Sequence, residues 1–109
     1  MAEILSSLCA NSILLANASS NVANMNTQDY QAIKTTLTSD ANGDVRALTS
    51  RNTNPGVPTD DGHCSSNVEI PREFCDMMRA KTGFEAALKA ISTREDMIDD
   101  LMDVLTNRS

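Results

Sequence analysis

The apolar residues of this chain fall on two helical stripes separated by a segment of a different period. From Ala2 to about Asn24, the residues Ile4, Leu8, Asn11, Leu15, Ala18, Val22 and Met25 keep a 4-3-4-3 spacing, which predicts one face of an amphipathic helix. Asn11 is its one polar member. Ser12, Asn17, Ser19, Ser20, Asn21 and Asn24 weaken the intrinsic propensity, because their side chains compete for backbone hydrogen bonds. Such a helix is marginal alone and depends on a partner. The turn cluster Asn24–Asp29 ends it.

The period then changes to two. Between Tyr30 and Thr38, Ile33, Thr35 and Leu37 share one face, and Lys34, Thr36 and Thr38 share the other, which predicts a short strand. Asn42-Gly43 is a hairpin turn signal, and Val45, Ala47 and Thr49 suit the returning strand. Ser50–Ser66 is rich in Asn, Pro, Gly, Asp and Ser and reads as an irregular, solvated loop.

Ile70-Pro71-Arg72-Glu73 opens a second helix, since Pro is tolerated in a first turn and Glu there suits the macrodipole. It is predicted to run from about Pro71 to Leu105. Met77, Phe84, Ile91, Ile98 and Leu105 recur every seven residues. Phe74, Leu88 and Met102 hold the complementary position, interrupted by Lys81 and Glu95. Glu95, Asp96, Asp99, Asp100 and Asp103 crowd the distal end, where acid opposes the helix dipole, so that end is expected to fray unless it is docked.

The expected fold is therefore mainly α. Its N- and C-terminal helices pair as a coiled-coil-like hairpin around a small β-hairpin or irregular middle. One domain spans 1–109: a helix and turn over 1–29, a hairpin and loop insert over 30–66, and the long helix over 67–109. Two paired helices bury only part of each stripe, and the remainder calls for other subunits. Leu8, Leu15, Val22, Phe74, Met77, Phe84, Leu88, Ile91, Ile98, Met102 and Leu105 are the expected packing residues.

Composition narrows the function. Trp is absent and aromatics are 3% of residues, so Leu, Ile, Val, Met and Ala must supply the buried area. A net charge of −6 argues against nucleic acid and anionic membranes as partners. No apolar run is long enough for a transmembrane helix. Met1–Asn11 lacks the basic start of a secretory signal, so a cleaved signal is not expected.

The three cysteines are too widely spaced for a disulfide framework or a zinc site. Cys9 and Cys75, beside apolar residues on the helices, are expected to be buried thiols. Cys64 stands in a polar loop, a position open to solvent. His63 is the only histidine, and His63-Cys64 with Asp60 and Asp61 does not have metal-ligand spacing. Asp99, Asp100 and Asp103 read as an exposed helix face. The four glycines form no phosphate loop. No catalytic, cofactor or metal residue is assigned.

Two segments carry a resemblance. Ala18, Asn21, Val22, Ala23, Asn24, Thr27, Tyr30 and Ala32 match the pattern A-x-x-N-[ILV]-A-N-x-x-T-x-G-Y-x-A. Ser66-Asn67-Val68-Glu69, then Glu73 to Ala86, then Ile91 to Met97 match a closing-helix pattern. In this order they resemble the flagellar rod, hook and related axial proteins, most nearly the short proximal rod members. The resemblance implies a non-enzymatic structural subunit of the basal-body rod. Such a subunit pairs its terminal helices in the inner tube of the axial structure, with copies of itself and related axial proteins as partners. It also implies type III export through the flagellar apparatus, without a cleaved signal, to a periplasmic rod. Asn21, Asn24 and Thr27 would fix the turn after the first helix. Three departures stand out: Asp29 replaces the usual glycine, Ser20 replaces an asparagine, and Gly83 stands where a larger polar residue is common. They set an alternative reading, a divergent paralogue acting as a cytosolic or export-apparatus accessory that binds a relative's helices.

Overall fold

The first stripe forms a 22-residue helix, α1 (Ala2–Ala23), in the computed structural model, which describes residues 2–107. A two-stranded antiparallel sheet follows, β1 (Ile33–Ser39) and β2 (Val45–Arg51), and then a 38-residue helix, α2 (Ile70–Asn107). The hairpin lies where the period-two pattern put it, with Ile33 opposite Arg51 and Leu37 opposite Ala47. The half-buried face, Ile33, Thr35, Leu37, Val45 and Ala47, packs on α1. Two polar pins hold it there: Asn17 Nδ2 donates to Thr35 Oγ1 at 2.8 Å, and the Val45 N–H donates to Ser6 Oγ at 3.0 Å. The turn is longer than the two residues that Asn-Gly suggests. It spans Asp40 to Asp44, closed by Asp40 N–H to the Asp44 carbonyl at 2.9 Å. The Asp40 carboxylate caps the N–H groups of Asn42 and Asp44, and Gly43 takes the left-handed conformation there (φ 84°).

The two helices pair antiparallel, as the stripes predict, but across small side chains. Ala10, Leu14 and Ala18 on α1 and Ala80 and Ala87 on α2 are buried. Gly83 lies against Asn11, and a methyl group added at Gly83 would sit 2.7 Å from Asn11 Cγ. Small residues at three- and four-residue spacing let the backbones approach, and this sets the register. The seam is thus turned from the expected stripe on α1. Asn11 and Ala18 are buried and Ile4, Leu8 and Val22 half-buried, whereas Leu15 (39%) and Met25 (46%) are exposed.

The expectation of buried thiols at Cys9 and Cys75 is overturned, since both are exposed. Cys9 precedes the seam residue Ala10 by about 100° of helix rotation, and Cys75 follows buried Glu73 by about 200°, so neither faces inward. Cys64 is half-buried.

Asn21 reaches Glu73 and Asn11 meets Gly83, pairs whose residue numbers each add to 94, so Ala2 lies level with about Ser92. Among the described residues, no helix lies beside α2 beyond that point. Every described residue from Ser92 onward is exposed, and the helix still continues through its acidic turns to Asn107. The molecule is accordingly long and thin, 80 × 25 × 14 Å. Among the described residues, no helix is long and apolar enough to cross a membrane.

Candidate functional site

The end of α1, the start of β1 and the first turns of α2 meet at one polar joint. Its centre is Asn21, which has no exposed surface. Asn21 Oδ1 accepts from the Ile33 N–H at 2.8 Å and Nδ2 donates to the Ile33 carbonyl at 2.8 Å. The side-chain amide therefore pairs with β1 as a third strand's peptide group would. Nδ2 also donates to Glu73 Oε2 at 2.8 Å, and Tyr30 OH donates to Oδ1 at 3.1 Å. Arg51 stacks over the Tyr30 ring, 5.6 Å from its centroid.

Asn67 does the same at the end of the ladder. The Asn52 N–H donates to the Ala32 carbonyl at 2.8 Å. The return bond passes through Asn67. Its Oδ1 accepts from the Ala32 N–H at 2.6 Å, and its Nδ2 donates to the carbonyls of Asn52 at 2.8 Å and Asn54 at 2.6 Å. One amide thus ties the loop after β2 to the strand before it. Beside it the Val68 N–H donates to Ser66 Oγ at 3.3 Å, and both residues are half-buried.

The turn after α1 is held by its own motif residues. Asn24 Nδ2 donates back to the Ser20 carbonyl at 2.8 Å, Thr27 Oγ1 donates to Asn24 Oδ1 at 2.9 Å, and Ala23 is exposed. Asp29, in the position where glycine was expected, adopts φ 58°, a conformation that favours glycine and that Asp tolerates better than most residues. Its carboxylate accepts the Cys64 N–H at 2.7 Å and pairs with His63 Nδ1 at 2.7 Å. The Cys64 N–H and the His63 bond hold the Asp29 carboxyl below its usual range.

Glu73 is the residue that sequence reasoning missed. It read as a favourable charge in a first turn, yet it is buried at 4% exposure. Burial pushes its carboxyl above the usual glutamate range, and the Asn21 donor opposes that shift. A folded-state value above the unfolded one means the fold binds the proton more tightly. This group therefore favours the fold most below the ordinary value near 4.5 and loses that advantage as pH rises through its raised value. We expect wild-type stability, measured relative to Glu73→Gln by urea midpoints, to fall as pH rises above about 4.5. A difference that stays flat or rises with pH would refute the assignment.

The expected packing residues divide in two. Leu8, Val22, Met77, Phe84 and Ile91 are half-buried along the seam. Leu15, Phe74, Leu88, Ile98, Met102 and Leu105 are exposed, the last five between 47% and 57%. Met97, Leu101 and Val104 join them on the unaccompanied part of α2.

Residues 65–104 match a family model described as the flagellar basal body rod FlgEFG protein C-terminal segment. This match supports the flagellar rod and axial protein family. The matched stretch takes in the Asn67 joint, Glu73, the small-residue seam of α2 and most of its exposed end. The match supports a structural role in the flagellar basal body. A comparison with curated proteins gave no match.

Proposed function

We propose that this chain is a structural subunit of the flagellar rod that assembles through its terminal helices with copies of itself and with related axial proteins. It would act as one unit and reach the rod through the flagellar export apparatus without a cleaved signal. The observation that carries the reading is the unaccompanied end of α2. Met97, Ile98, Leu101, Met102, Val104 and Leu105 are each more than half exposed, on a stretch of about 22 Å that no part of α1 covers. A stripe of this kind on a monomer marks an interaction surface. The family match supports a rod context for that surface.

The test is Ile98→Asp in the native organism. Ile98 is 57% exposed, so the change should leave the isolated fold intact. Motility and incorporation into purified hook–basal bodies are expected to be lost, because assembly would bury an unpaired charge. Normal swimming, with the variant present in basal bodies at wild-type copy number, would remove this stripe from the assembly.

A further inference from the structure

The two rows of α2 that meet α1 do not stop where α1 stops. Glu73, Ala80 and Ala87 are buried and seven apart, and their row continues through Arg94 to Leu101. Half-buried Met77, Phe84 and Ile91 form the second row, which continues through Ile98 to Leu105. Rows offset by three and four residues are the d and a positions of a coiled-coil seam. Beyond Ser92, α2 therefore carries about 22 Å more of the seam it already uses, with no helix beside it among the described residues. Exposed Met97, Met102 and Val104 widen it at the flanking e and g positions.

The acids of this stretch do not obstruct the seam. Asp96, Asp99, Asp100 and Asp103 fall at b, c and f positions, on the opposite side of the helix. Glu95 alone borders the contact face.

The stretch is also self-complementary. Asp96-Met97-Ile98-Asp99-Asp100-Leu101-Met102-Asp103 reads the same in both directions by residue type. An antiparallel pair centred between Asp99 and Asp100 sets Ile98 of each copy level with Leu101 of the other, and Met97 level with Met102. Leu105 comes level with Arg94, whose alkyl stem can lie on it while the guanidinium reaches water. Asn107 comes level with Ser92, so each tail ends where the other copy's α1 begins. A parallel pair would bring both α1 helices onto the same side of the seam and force the tails apart.

We infer that the occupant of this open seam is the same segment of a second copy, antiparallel, in a closed twofold dimer. Such a contact uses one patch on both copies and closes after two. The inference goes beyond the rod reading above: the dimer covers the stripe that assembly needs and so competes with it.

The experiment uses the full-length chain. Sedimentation velocity is expected to show a monomer–dimer equilibrium for the wild type, with a Kd on the order of micromolar. Ile98→Asp/Leu101→Asp, both at exposed positions, is expected to keep the helical circular dichroism and to dimerise at least roughly tenfold more weakly. High salt is expected to tighten the wild-type dimer, because the acids on the two helix backs repel. Orientation is read by disulfide trapping with oxidised glutathione in a Cys9→Ser/Cys64→Ser/Cys75→Ser background. Arg94→Cys mixed with Leu105→Cys is expected to give the mixed disulfide. Leu105→Cys alone is not expected to link to itself, since its two copies lie about 16 Å apart along the axis.

Self-linking of Leu105→Cys in place of the mixed link would show a parallel pair and overturn the inference. So would a tetramer or an open series, a double variant that dimerises like the wild type, or a wild type that stays monomeric to ~1 mM. Each of these outcomes leaves the rod reading to its own test, the incorporation of Ile98→Asp into basal bodies.

Discussion

Asn21→Ala is expected to lower the unfolding free energy by about 3–5 kcal/mol, measured by urea denaturation followed by circular dichroism. The change strips partners from the Ile33 N–H, the Ile33 carbonyl and the Glu73 carboxylate together. Each orphaned buried group costs about 1–3 kcal/mol, and Tyr30 can recover part of its loss by turning its hydroxyl to water. Against a total of about 5–15 kcal/mol for a small domain, this removes much of the fold's margin. Asn21→Asp makes the chemistry explicit. It keeps the size and the acceptors, loses both donors, and faces a second carboxylate at Glu73. Its deficit is expected to shrink as pH falls and one of the two acids takes a proton. A loss below about 1 kcal/mol for Asn21→Ala would mean that Asn21 does not hold the joint.

The second large effect is expected at the seam. Gly83→Leu should cost about 3 kcal/mol, because even its first carbon would sit 2.7 Å from Asn11 Cγ and the helices would have to separate. The gain of about 1 kcal/mol in helix propensity over glycine offsets only part of this. The cause is checked by a double-mutant cycle. In a Gly83→Ala background, Asn11→Ala removes the group that is struck, so the pair should be more stable than the two single changes predict. Strict additivity would show that Gly83 and Asn11 are not in contact.

Much of the architecture was legible because local patterns were consistent. Ile33, Thr35 and Leu37 alternate as a half-buried strand must, and the heptad from Met77 to Leu105 is long enough to be helical on any account. The division of apolar residues between the inside and the outside of the hairpin was not legible. Met77, Phe84 and Ile91 share their period of seven with Phe74, Leu88 and Met102, and a period says nothing about which row meets α1. That choice is made by the close approach of Gly83 to Asn11 and by the bond from Asn21 to Glu73, pairings of residues far apart in sequence. The spacing of Ala80, Gly83 and Ala87 was the signal that could have located the seam. The motif pointed to Asn21 and Asn67 as important positions. It did not reveal that each lends its amide to a strand as a peptide group. The same holds at Asp29, where a departure from the family pattern keeps the left-handed backbone and ties down His63 and Cys64 with the added carboxylate.

The slender shape has a consequence for area. A compact protein of 11.8 kDa exposes about 5,900 Å², whereas this chain exposes 7553 Å². The excess is about 1,600 Å². A stable interface takes roughly 800 Å² from each partner, so the surplus equals two such halves. Covering that surplus would bring the chain to the exposure of a compact protein of its mass.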